Sequence, residues 1–110
     1  MLQALNDFDK EDLRAKAKLA LRLSTPIFDE EIDDLILSAA EDLEDIGIYP
    51  FPPVPLITRA IILYVKSEFG NGGAIEEKER YRKAYNDLKC KMCLSEKYTY
   101  MAKQLEEYEK

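Results

Sequence analysis

Histidine and tryptophan are absent from this 110-residue sequence, and only two residues are cysteine. Without histidine the chain lacks the commonest general base and the commonest metal ligand, which excludes Ser-His-Asp and Cys-His catalytic arrangements. Two thiols do not complete a four-ligand zinc site within one chain, and they are too few for a disulfide-stapled secreted domain. The sequence therefore predicts a non-enzyme of a reducing compartment, with no catalytic, cofactor-binding or metal-binding residues.

Long apolar runs are also missing. The longest uninterrupted one, Ala60–Val65, has six residues, whereas a membrane-spanning helix needs about 20. The first residues show no basic stretch followed by an apolar run. We therefore expect neither a membrane span nor a signal peptide.

The residues that are present suit one folded domain. The sequence is 46% hydrophobic and 35% charged, and a chain of this length buries a single hydrophobic core. Its net charge of −6 does not favour tight, non-specific binding to nucleic acid, because such binding depends on neutralising phosphates. We expect one domain over residues 1–110, with a core of 9–94 and a tail of 95–110.

Apolar residues recur every three or four positions in four segments, which is the spacing of amphipathic helices. The predicted helices span residues 9–23, 29–46, 56–69 and 76–94. Asp9 and Asp29 are predicted N-caps, Gly47 is a predicted C-terminal cap, and Pro55 suits a first helical turn. The fold class is therefore all-α with four helices.

The third helix is apolar on nearly every side, which a soluble protein tolerates when that helix is central. Leu19 and Leu23 widen the apolar stripe of the first helix. Tyr98 and Tyr100 alternate like a short strand, so we expect an irregular or extended C-terminal tail. The predicted core consists of Leu13, Leu21, Ile32, Leu35, Ile36, Leu43, Ile61, Tyr64, Val65, Tyr85 and Leu88.

Charge is segregated along the chain. Residues 29–45 contain nine acidic residues and no basic one, whereas residues 78–97 contain seven basic and three acidic residues. One interpretation is a solvated helix face that pairs loosely within the monomer; the other is that an acidic face of one subunit meets a basic face of the next, a head-to-tail contact that closes into a ring. The candidate interface residues are Glu41, Asp42, Glu44, Asp45, Arg80, Arg82, Lys83, Lys89 and Lys91.

A proline-rich connection, residues 47–55, joins the second and third helices. It is too rich in proline for a helix or a central strand, and it carries Tyr49, Phe51 and Val54. A stiff apolar loop of this kind either folds back over the bundle or contacts a partner subunit. These three residues are therefore further interface candidates.

Three motifs resemble chemical sites only superficially. Cys90 and Cys93 have redox CxxC spacing, but they lie near a helix C-terminus, where the helix dipole opposes a thiolate, so we expect at least one of them to be buried instead. Neighbouring acids such as Asp33 and Asp34 point about 100° apart on a helix and do not converge on a metal. The glycine cluster of residues 70–73 lacks the features of a phosphate-binding loop and predicts a turn.

Two blocks of the sequence, Arg59–Tyr64 and Tyr85–Lys89, are less generic than helical periodicity, and the acidic pattern of residues 28–43 precedes them. In this order and with this helix spacing, they resemble the head-tail connector proteins of tailed phages, also described as DNA-packaging proteins. The resemblance covers roughly residues 10–98.

The resemblance implies a helical adaptor that forms a ring of about twelve or thirteen copies of itself. Such a ring docks beneath the phage portal protein and meets a tail-side stopper or tail-completion protein. DNA crosses its channel without specific recognition, no membrane is involved, and the family has no catalytic residues. The expected location is the head-tail junction of the virion, after assembly in the host cytoplasm.

Two other functions remain open at this point. A monomeric acidic interaction module, such as a DNA-mimic inhibitor or a regulatory adaptor, would use the second helix as its binding surface. A small helical enzyme or a metal-dependent nuclease would use the clustered acids, although the lack of histidine weighs against it. If the ring is correct, the acidic surface either faces the channel or meets a neighbouring fourth helix.

Overall fold

The computed structural model describes residues 7–48, 54–70 and 75–95. These residues form four α-helices and no strand, which confirms the all-α, four-helix prediction, and each observed helix boundary lies within two residues of the predicted one. A single 3-10 turn, Pro26–Phe28, precedes the second helix. The helices are α1 (Asp7–Leu21), α2 (Asp29–Asp45), α3 (Pro55–Glu68) and α4 (Ile75–Cys93).

Both predicted aspartate caps are wrong. Helix α1 begins at Asp7, two residues before Asp9. Phe28 occupies the N-cap position of α2, while the Asp29 side chain forms an ion pair with Lys18 of α1, with Nζ and Oδ1 2.8 Å apart. Thr25 provides the side-chain cap of this region, because its hydroxyl accepts a hydrogen bond from the backbone N–H of Ile27 in the 3-10 turn.

The predicted cap at Gly47 is confirmed and has the geometry of a Schellman motif. Gly47 has a φ of +85°, its N–H donates to the carbonyl of Glu44 at 3.0 Å, and the N–H of Ile48 donates to that of Leu43 at 2.9 Å. Ile48 and Leu43 are both fully buried. The connection after α2 therefore begins by folding back onto the bundle.

Helix α3 is the centre of the molecule, as predicted, because it contacts each of the other three helices. Leu21, Leu35, Tyr64 and Leu88 are only partly buried and pack against the core. Leu19, by contrast, is 80% exposed, because it lies about 200° around α1 from buried Ala17. The predicted core residues that are fully enclosed are Leu13, Ile32, Ile36, Leu43, Ile61, Val65 and Tyr85.

None of the helices in the described residues is both long enough and apolar enough to cross a membrane. Cys90 and Cys93 are both exposed and reduced, so the expectation of a buried cysteine is wrong. The side of α4 that faces the core is occupied instead by Tyr85 and Met92. The predicted extended tail, with Tyr98 and Tyr100, lies outside the described residues.

Candidate functional site

The acidic helix α2 presents four sides, each with a different environment. Its core side carries buried Ile32, Ile36 and Leu43. The helical repeat of about 100° per residue places carboxylates on the two flanks of this apolar side and on the outer side opposite it. The carboxylates on the flanks have partners within the chain, whereas those on the outer side have no ion-pair partner among the described residues.

On one flank, α2 is bound to α1 by ion pairs. The Arg14 guanidinium donates to both carboxylate oxygens of Asp33, with Nε–Oδ1 at 2.8 Å and Nη2–Oδ2 at 2.6 Å. Hydrogen bonding to Asp33 raises the pKa of Arg14 above its ordinary value. Lys18 pairs with Asp29 beside it. A bidentate pair of this kind fixes the orientation of the two helices.

On the other flank, Asp42 joins α2 to α4. Its Oδ2 accepts hydrogen bonds from Tyr85 Oη at 2.5 Å and from Lys89 Nζ at 3.0 Å. Burial acts to raise the pKa of Asp42, but the bonds from Tyr85 and Lys89 outweigh it and hold that pKa below its ordinary value. Burial, together with the adjacent carboxylate, raises the pKa of Tyr85 far above its ordinary value. Asp42 is therefore a charged structural link between the two helices.

A pocket of about 210 Å³ opens beside this link. Its charged residues already have partners inside the chain, since Lys89 pairs with Asp42 and Arg82 pairs with Glu68 of α3. Among the described residues, this arrangement leaves no cation free to bind a ligand in the pocket. The lining residues are Asp42, Tyr64, Ser67, Arg82, Tyr85, Asn86 and Lys89.

The outer side of α2 is different. Its carboxylates fall within an arc of about 60° directly opposite the buried side, each is exposed, and none forms an ion pair with a described residue. We call this surface the outer acidic face; it consists of Glu30, Asp34, Glu41 and Asp45, with Ser38 among them. Glu30 and Asp34 were not among the predicted interface residues. Their helical spacing from Glu41 and Asp45 was nevertheless sufficient to place all four on one side of α2.

The acidic candidates thus divide between environments. Glu41 and Asp45 belong to the outer acidic face, Asp42 is engaged inside the chain, and Glu44 is half-buried. The sequence pattern grouped these four because they are close along the chain, but consecutive helical residues point in different directions.

The basic candidates divide in the same way. Arg82 and Lys89 lie on the flank of α4 that faces the pocket. Arg80 and Lys91 lie about 180° away from that flank and within about 20° of each other, both are exposed, and neither forms an ion pair with a described residue. We call Arg80 and Lys91 the basic edge. Lys83 is exposed and pairs with Asp87 at 3.1 Å.

Only one of the three loop candidates can be located. Val54 is 39% exposed, whereas Tyr49 and Phe51 lie outside the described residues. Leu19 of α1 and Ile27 of the 3-10 turn are about 80% exposed, and sequence reasoning did not identify them as surface residues. Among the described residues, no three or more Cys, Asp or Glu side chains are grouped so that they could hold a metal ion.

Comparison with known proteins identifies one related family. A family model described as "Phage connector protein" matches residues 13–99. Searches of curated proteins and of solved structures found no match. The matched residues include α2, α3 and α4 in full, so both the outer acidic face and the basic edge lie within the family region. The match confirms the resemblance identified from the sequence.

Proposed function

Because the chain belongs to the phage connector protein family, we propose that it is a ring-forming adaptor at the head-tail junction of a tailed phage or prophage. In this role it docks under the portal protein and extends the channel through which DNA passes. On its other side it meets a stopper or tail-completion protein. The subunit is a structural component of the particle and catalyses no reaction.

The observation that carries this proposal is the separation of unpaired charge within a family-matched domain. The outer acidic face and the basic edge each lack an ion-pair partner among the described residues, and they have opposite charge. Surfaces that are complementary but differently placed on one molecule form head-to-tail contacts, which close into rings when the rotation per subunit allows it. A ring subunit requires two such surfaces.

The net charge of −6 is compatible with a DNA channel. A densely basic wall would bind phosphates and slow the passage of DNA, because every neutralised phosphate strengthens binding. The outer acidic face contributes four of the carboxylates responsible for this net charge. The outer acidic face either lies in a contact between subunits or faces the channel. In both cases α2 adds no positive charge to the channel wall.

The test is to measure mass by light scattering behind a sizing column, first for the protein alone and then with the portal protein of the same phage. We expect a species of about twelve or thirteen subunits, formed alone or on the portal, with a central channel visible by electron microscopy. A chain that stays at 12.7 kDa both alone and with the portal contradicts the ring. That result would instead favour the monomeric acidic interaction module.

A further inference from the structure

The outer acidic face and the basic edge have the same repeat along their helices. Asp34 and Asp45 are eleven residues apart, and so are Arg80 and Lys91. At a rise of 1.5 Å per residue, both pairs of charges are separated by about 16.5 Å and lie almost directly above one another. Two helices placed side by side therefore align both pairs at once.

These two surfaces do not meet within one chain. The outer acidic face points away from the core side of α2, and the basic edge lies opposite the α4 flank whose Lys89 contacts Asp42. Contact between the two surfaces therefore requires a second molecule, and another copy of this chain supplies the complementary charge. Two of the exposed positions between the charges, Ser38 on α2 and Ala84 on α4, are small.

We propose that α2 of one subunit docks antiparallel along α4 of the next, with Asp34 facing Lys91 and Asp45 facing Arg80. This inference rests on the proposed ring and specifies the contact between its subunits. The opposite, parallel alignment of the same charges places Glu41 against Asp87, which are both acidic. The antiparallel alignment places Glu41 against Ala84 and Ser38 against Asp87, and it also aligns the helix dipoles favourably.

The experiment uses two variants with opposite defects. Asp34→Lys with Asp45→Lys removes the acidic partner, and Arg80→Glu with Lys91→Glu removes the basic partner. Neither variant associates with itself, because every contact then opposes like charges. An equimolar mixture restores both contacts, one between the native charges and one between the exchanged charges, so the two variants should assemble together although each alone stays at 12.7 kDa.

A control variant separates this contact from a general effect of charge. Glu11→Lys with Glu79→Lys changes the net charge by the same amount as the acidic-face variant, at exposed positions away from both surfaces. We expect it to assemble like the wild type at matched ionic strength. The register is tested by adding a second substitution to the Asp34→Lys chain. Lys91→Asp should restore its association. If Arg80→Asp restores it instead, the helices are parallel.

The outcomes distinguish this contact from the ring itself. If the wild type associates and either double variant associates equally well, the proposed contact between α2 of one subunit and α4 of the next is wrong. The proposed ring is not affected by that result. A mixture that stays monomeric when the wild type forms rings also overturns it. If the wild type associates neither alone nor with the portal protein, the proposed function fails as well.

Discussion

The carboxylates on the flanks of α2 and those of its outer acidic face differ in environment, although they are interspersed along the same helix. Asp33 and Asp42, on the flanks, bind Arg14 and Lys89 of neighbouring helices. Those of the outer acidic face have no ion-pair partner among the described residues. A run of acidic residues thus occupies two separate environments, and the position of each residue relative to the buried side decides which environment it has. The flanks hold the fold together, while the outer face is available for assembly.

The largest effect on folding is expected on the core side of α2. Ile36→Ala removes a side chain that is 1% exposed and should reduce the free energy of unfolding by about 2–5 kcal/mol, through lost burial and the cavity left behind. Urea denaturation measures this change. The adjacent Leu37 is only partly buried, so Leu37→Ala should cost clearly less; equal costs would show that this side of α2 is not packed as described.

The α4 flank should be the next most sensitive. Asp42→Ala leaves the hydroxyl of Tyr85, a residue only 3% exposed, without its acceptor, which should cost about 1–3 kcal/mol. Glu41→Ala, one residue earlier on the outer face, should change the free energy of unfolding by no more than about 0.5 kcal/mol. Equal losses in the two variants would remove the distinction between flank and outer face.

The α1 flank should follow. Arg14→Met removes the bidentate pair with Asp33, in which both side chains are partly exposed, and should cost about 1 kcal/mol. Lys83→Met removes a pair whose side chains are mostly exposed and should cost less than about 0.5 kcal/mol. Thermal denaturation of both variants tests this order, and a larger loss for Lys83→Met would contradict it.

The smallest effect is in the pH dependence of stability. The folded pKa of Asp42 lies below its ordinary value, so the ionised carboxylate stabilises the fold above the unfolded pKa of about 4. This contribution is lost as the pH falls through the lowered folded pKa. Tyr85→Phe removes one of the bonds that lower it and should make the loss of stability below pH about 4 less steep. Urea denaturation over this acid range should reveal an unchanged slope if the bond to Tyr85 does not matter.

Most of the fold was predictable because helical periodicity is a local property. The stripe of α2 repeats without interruption, so its boundaries and most of its buried residues follow from spacing alone. Gly47 was identified as a cap because it directly follows the last apolar residue of the stripe, where glycine commonly ends a helix. Leu19 was misassigned because an apolar residue about 200° from the stripe was counted as part of it.

The candidate site was only partly predictable because its contacts are distant in the sequence. Asp42 and Lys89 are separated by 47 residues, and no periodic pattern shows that they meet. Helix geometry alone predicts that Arg80 and Arg82 lie on different sides of α4. The ion-pair partner of Arg82, however, depends on how α3 packs against α4. The sequence pattern therefore located the charged helices correctly without separating the residues used for folding from those available for assembly.

The most direct test of this separation is the mass of one variant measured by sedimentation velocity. It neutralises the outer acidic face with Glu30→Gln, Asp34→Asn, Glu41→Gln and Asp45→Asn, under the conditions in which the wild type assembles. We predict a folded monomer of 12.7 kDa that is as stable to urea as the wild type. A variant that assembles like the wild type, or one that loses stability as Asp42→Ala does, would contradict the account.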